Sequence, residues 1–344
     1  MKKSFEVVAA LLVISSFLFS CHKKEGNADY KPSPVGQYSE LSIVIPTNYW
    51  EGALGNELRT IFSEDVPFLP QSEPMFDISQ IPPLIFKDAF LKTRNVLVVQ
   101  IDPKYTEPMI ATANDVFARP QSLAYLNADS PAAAIEYIKT GADIVIDYFL
   151  TRNRDAQIET NKSFNDIRLE DAVKKMFDID ITARSGYRLA NLPEKSNDFM
   201  WLDFNGSLAH LGLFIYTYPY TNQEMFSKAA IIEKRNELLQ KYVGGEKDGS
   251  YMTTEVQLQP SLDTIDFKGS YAVEMRGLWK MHNDFLGGPF VSLTVLDEKK
   301  TRLVTVEGFV SAHAAEKRDY MRQLEAIVYS LSLEDAATVV ADEE

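Results

Sequence analysis

The chain has 344 residues, 45% of them hydrophobic, one cysteine, and a formal net charge of -14 at pH 7. That charge argues against nucleic acid as a partner, which is normally met by a basic face, and a single cysteine rules out a body held by internal disulfides. What remains is a globular body stabilised by its core and long enough for one large domain or two ordinary ones.

Lys2 and Lys3 precede a nearly unbroken apolar stretch from Val7 to Phe19, which reads as a targeting segment and is too short to span a bilayer. Leu18-Phe19-Ser20-Cys21 then resembles a bacterial lipobox. The resemblance implies cleavage before Cys21 and acylation of its sulfur and new amino group, which would make lipid on Cys21 the membrane attachment. A signal peptide is therefore expected over residues 1–20, and a location in the cell envelope at the outer membrane, facing the periplasm. The polar run 21–39, with Gly26, Pro32, Pro34 and Gly36, predicts a flexible tether. Residues 40–334 predict an α+β body in which mixed or antiparallel sheets pack with amphipathic helices, and 335–344 predict a mobile acidic tail.

Within the body, Ser42-Ile43-Val44-Ile45 reads as a short buried strand stopped by Pro46, and Leu54, Leu58, Ile61 and Phe62 follow at helical spacing. Five prolines from Pro67 to Pro83 rule out a continuous helix and predict an irregular crossing segment. The valine-rich run Asn95 to Ile101 predicts a central strand. Ser130 is a good N-cap with Pro131 at the first helical position, and Ile135, Ile138, Ala142, Val145 and Phe149 share one face of the helix that follows. Leu169, Val173, Met176 and Phe177 predict a shorter helix, and Phe199–Leu202 and Leu211–Tyr218 predict strands. Met225, Ala229, Ile232, Leu239 and Tyr242 mark a helix closed by Gly244-Gly245. Strands are expected at 251–258, 271–276, 290–296 and 302–309, then a closing helix with Tyr320, Leu324, Ile327 and Leu331 on one side. The order of short helix, strands and long helix occurs twice. This allows two similar halves, 40–160 and 161–334, although no residue-level repeat underlies them.

Arg276, Trp279, His282 and Asp284 concentrate just before Gly287-Gly288-Pro289. Tryptophan and arginine can stack on or clamp a flat or anionic group, and glycines permit close backbone approach, so Arg276, Trp279, His282, Asp284, Gly287 and Gly288 form the candidate ligand site. The same residues also fit a sharp connection between strands with Trp279 in the core. Tyr216, Tyr218 and Tyr220 share a strand face, where packing is the first use of such a stripe and sugar or peptide stacking the second. Nucleophile-elbow, zinc-helix and Walker-loop patterns are lacking and the histidines are far apart, so neither a metal nor a cofactor is expected. Two functions stay open. One is an envelope module that binds a protein partner or a glycan or peptide ligand, or supports an assembly. The other is a hydrolase of a glycan or peptide substrate, with His282, Asp284, Asp203 and Glu307 as the acids and bases to replace.

Several motifs carry a family likeness: Leu69-Pro70-Gln71, Glu73-Pro74, Phe76-Asp77, Gly277-Leu278-Trp279, and Asn283-Asp284-Phe285-Leu286-Gly287-Gly288-Pro289-Phe290, with Lys317-Arg318 in the closing helix. Together they resemble the Bacteroidota lipoproteins grouped as domain of unknown function 4837. Leu286 stands where methionine is expected, an apolar exchange. The resemblance implies an envelope lipoprotein, with the likeness running over essentially the whole mature chain, and it implies no reaction, cofactor or catalytic residue.

Overall fold

A computed structural model of the chain describes residues 30–333. The expected signal peptide, Cys21, the first part of the tether and the acidic tail lie outside the described residues. Within them are six α-helices and fifteen β-strands, an α+β fold with one mixed and one antiparallel main sheet.

The first half is built on strands β1 (Glu40–Val44), β2 (Asp77–Ile81), β3 (Asn95–Ile101), β4 (Met109–Asn114) and β5 (Ser122–Ala128), in the order β2-β1-β3-β5-β4. All pairs are parallel except β4 with β5. The valine run of β3 lies at the centre because a central strand meets apolar neighbours on both faces: Leu97 and Val99 enter one core, Val96 and Val98 another. A single turn, α1 (Thr47–Trp50), leads into α2 (Ala53–Phe62), and this helix and α3 (Pro131–Ser163) cover the first of those faces. Ser130 caps α3 as expected, its hydroxyl accepting the Ala133 N–H at 3.3 Å. The helix runs on to Ser163, and on the way the buried Asn153 donates to the Tyr38 carbonyl at 2.9 Å.

The second half begins with α4 (Ile167–Phe177) and the short strands β6 (Ile179–Asp180) and β7 (Arg188–Leu189). Beside β7, its main sheet contains β8 (Phe199–Asn205), β9 (His210–Pro219), β10 (Tyr251–Thr254), β11 (Ser261–Phe267), β12 (Ser270–His282), β13 (Gly287–Asp297) and β14 (Arg302–Ser311). The order is β10-β12-β13-β14-β9-β8-β7, with β11 also pairing β12, and every pair is antiparallel. Helix α5 (Lys228–Tyr242) packs on one face, and α4 and α6 (Arg318–Tyr329) on the other. With both faces covered, β9, β13 and β14 are buried almost throughout and do not alternate with polar residues. A last strand, β15 (Ser332–Leu333), pairs β6 apart from this sheet.

Three differences from the sequence reading have local causes. Residues 32–39 are bound to the body, not free tether: the Pro32 carbonyl accepts the Arg119 N–H, Val35 exchanges hydrogen bonds with Lys92 and Arg94, and Ser39 is buried. Strand β2 occupies the proline-free stretch between Pro74 and Pro82 inside the expected irregular segment. The two halves differ in strand order and direction, so their common order of elements does not extend to their sheets.

Candidate functional site

The residues that sequence alone assembled around Gly287-Gly288 do not converge. Successive side chains of an extended strand point to opposite faces, which sends Arg276 of β12 toward α6 and Trp279 toward α5. Trp279 is 3% exposed, packs edge-on to Phe309 at 5.6 Å and donates its indole N–H to the Val310 carbonyl at 3.0 Å. His282, six residues and roughly 20 Å of strand from Arg276, stacks on Tyr251 at 4.7 Å. Asp284 accepts Lys247 Nζ at 2.7 Å and the Phe285 N–H at 2.8 Å, and these bonds hold its carboxyl below the usual range. Gly287 and Gly288 open β13, and a Cβ at Gly288 would sit 2.0 Å from the Val310 carbonyl oxygen. That glycine serves close packing of strands. Trp279, Asp284, Gly287 and Gly288 border only a shallow, open depression beside Phe285.

The other named carboxylates part company as well. Glu307 is fully buried on the α5 face and clamped by Arg235, whose Nε lies 3.0 and 2.9 Å and Nη2 2.7 Å from the carboxylate. Burial pushes the Glu307 carboxyl up against the pull of Arg235, and both its oxygens are already taken by that guanidinium. Asp203 is hydrogen-bonded to His210 at the end of the same sheet. The tyrosine stripe is packing: Tyr216 and Tyr218 are buried and stacked at 6.2 Å, and Tyr220 rests on Phe226.

What the fold does bring together are motifs far apart in sequence. Lys317 and Arg318, at the start of α6, offer backbone N–H groups that a helix leaves unpaired, and the Glu73 carboxylate accepts both, at 2.7 to 2.9 Å. Gln71 accepts Lys317 Nζ at 2.9 Å. The Arg318 guanidinium donates to the Pro74 carbonyl at 2.8 Å and to both carboxylate oxygens of Asp77 at 3.1 and 2.7 Å. Glu73 is thus an N-cap supplied by one half to a helix of the other, with its charge at the positive helix end.

Beside this joint the halves leave a cleft of about 520 Å³, within the range of small-ligand sites. Its first wall is Val66 to Leu69, Met75 and the α3 residues Asp147, Leu150, Thr151 and Arg154; its second is β11, β12, Pro289 and Phe290, and the exposed stripe of α6. Arg276 bonds Glu274 at 2.7 Å and Glu325 at 2.5 Å. Burial lowers its pKa, but Glu325 and Glu274 outweigh that and raise it. Glu274 also accepts the Tyr329 hydroxyl at 2.5 Å; burial raises its carboxyl, and Arg276 and Tyr329 bring the net shift below the usual range. Arg154 lays its guanidinium over the Tyr329 ring at 3.7 Å.

Arg322 differs from these. It is 8% exposed, donates Nη2 to the Met75 carbonyl, and keeps a buried Nη1 without a hydrogen-bond partner. Burial pushes its guanidinium down to about 10, so it is still charged at neutral pH. A buried donor left unpaired costs roughly 1–3 kcal/mol, more when charged, and an acceptor on a ligand would remove that cost. Arg322, Glu325 and Tyr329 were missed in the sequence because they read as the polar side of an amphipathic helix. Their spacing of three and four residues was the available signal.

The fold and cleft define a class: a two-part α+β protein with a mixed-charge, partly apolar groove at the joint. Residues 166–330 match the family model described as domain of unknown function DUF4837, and residues 34–162 match a second, domain of unknown function DUF8532. The resemblance read from the motifs is therefore present over residues 166–330, while the motifs from Leu69 to Asp77 lie in the stretch matched by the second model. No curated protein matches the chain. Among solved structures, LpqN of Mycobacterium tuberculosis, described as involved in cell envelope biogenesis, is similar at 14% identity over 45% of this chain and 82% of its own, with a TM-score of 0.26. Superposition that weak carries no weight for fold or function. Among the described residues no cluster of histidine, cysteine and carboxylates fits a metal ion, and no helix is long and apolar enough to cross a membrane.

Proposed function

We propose that this protein is an envelope lipoprotein, held at the outer membrane on its periplasmic side by lipid on Cys21, and that it binds a ligand in the cleft between its halves. The unpartnered Nη1 of Arg322 carries the reading, and it calls for an acceptor with negative charge. Phe68, Leu69, Met75, Leu150 and Met321 line the same space, so the occupant combines an apolar body with a carboxylate or phosphate, as an acyl-bearing or peptide ligand does. Calorimetric titration of the mature chain with decanoate, decyl phosphate and decanol tests this. The two anions bind, the alcohol binds at least about tenfold more weakly, and Arg322→Gln abolishes the difference. Equal affinity for all three, or no binding of the anions, overturns it.

A hydrolase is the second reading, favoured by one observation. Asp203 bonds His210, and Ser311 of β14 lies directly across from His210 on the neighbouring strand, where cross-strand partners share a face. A fluorophosphonate probe that labels Ser311 in the native chain, and fails to label it in His210→Ala, supports that reading. An unlabelled Ser311 removes it.

A further inference from the structure

Several of the apolar residues that the fold leaves uncovered gather where the chain enters the body. The face of the five-stranded sheet turned away from α2 and α3 packs Phe86 from the connection between β2 and β3. From that connection Leu84, 90% exposed, and Ile85 and Phe90 stand out into solvent, and Val116 and Phe117 do so from the connection between β4 and β5. The two connections form one surface. The Phe86 and Phe117 rings meet at 6.4 Å, and the Gln121 side chain donates to the Leu91 and Thr93 carbonyls while accepting the Phe117 N–H. Lys87, Lys92 and Arg119 are exposed around it, cations concentrated at one place on an acidic chain. Asp88 is the exposed acid among them, while Asp115 is engaged by Arg152 and Arg119.

Pro32 and Val35 are bonded to Arg119 and Lys92, so the N-terminal segment leaves the body at this surface. Residues 22–29 separate Cys21 from Tyr30, and even fully extended the chain from one to the other reaches roughly 30 Å. A lipid on Cys21 therefore holds this face, and no distant one, within reach of the bilayer. We propose that the surface rests on the membrane, with Leu84, Ile85 and Phe90 entering the headgroup layer and Lys87, Lys92 and Arg119 meeting lipid phosphates. Apolar tips rimmed by cations are what an interfacial site requires. The inference rests on the lipid-anchor reading of Cys21 and is tested apart from it.

The mature chain is coupled through Cys21 to a maleimide lipid in vesicles of phosphatidylethanolamine and phosphatidylglycerol, which makes natural acylation irrelevant to the outcome. Hydrogen exchange is then compared with that of the uncoupled protein. Amides in 83–93 and 115–119 slow at least about threefold on coupling while those in 244–250 do not change, and Leu84→Asp with Phe90→Asp abolishes the protection without shifting the melting temperature. Unchanged exchange on coupling overturns the proposal. So does protection that grows with protein concentration in the absence of vesicles, which would assign the surface to a second copy of the chain. Acylation itself is read separately, from the mass of the N-terminal peptide of protein extracted from membranes.

Discussion

Two arginine clusters lie on opposite faces of the eight-stranded sheet and end differently. On the α5 face Arg235 has no exposed surface, and its guanidinium is closed by Glu307, by the Thr254 hydroxyl at 2.8 Å and by the Phe290 ring at 4.0 Å. On the α6 face Arg276 is closed by two glutamates, but Arg322 beside it keeps a buried nitrogen unpaired. Burial does not separate a structural cluster from a binding one, since Arg235 is the more buried of the two. Saturation of donors does.

The comparison breaks first at Glu307. Glu307→Gln leaves Arg235 buried without a counter-charge, at roughly 3–5 kcal/mol, and thermal melting is expected to fall by on the order of 10 °C. The paired replacement Arg235→Met with Glu307→Leu recovers most of that loss if the pair is a clamp and nothing more. Next comes the joint: Glu73→Gln weakens the cap of α6 by about 1–2 kcal/mol, read as a smaller drop in melting temperature and faster proteolysis of the link between α3 and α4.

A third outcome concerns pH. The folded Glu274 carboxyl lies below its ordinary value, so it contributes stability that is complete above the unfolded glutamate range and is lost as pH falls through the depressed folded value. Denaturant melts across acid pH should show a shallower decline for Glu274→Gln than for the native chain. The smallest effect on stability belongs to Arg322→Gln, because losing the bond to the Met75 carbonyl and relieving the unpaired Nη1 act in opposite directions and leave a net change of about 1 kcal/mol, while the preference for the anions over the alcohol is lost. A large destabilisation by this variant would place Arg322 with Arg235 and end the distinction.

Elements with a strong local cause were readable before any coordinates. Ser130-Pro131 started α3 where capping chemistry put it, and the valine run of β3 occupied residues 95–101 as expected. Strands β4, β5 and β11 were not read, because short runs of mixed polarity gain their stability from a neighbour and not from their own pattern. The site failed for a related reason. Proximity in sequence gathered Arg276, Trp279, His282 and Asp284, but an extended strand spreads its residues over two faces and some 20 Å. Of these four residues, Arg276 lines the cleft, facing partners from α6 that lie about fifty residues on.

The Glu73 cap also bears on what counts as a part of this protein. The carboxylate lies in the stretch matched by one family model and the helix it completes lies in the stretch matched by the other. A fragment beginning at residue 166 would carry α6 with its first N–H groups open to water and Arg318 without Asp77, and one ending at residue 162 would bury Glu73 against nothing. Each module supplies what the other's terminus lacks. Joining them in one polypeptide keeps that partner at high effective concentration from the moment of synthesis, so the pair, and neither module alone, is the unit that a deletion or a domain exchange must preserve.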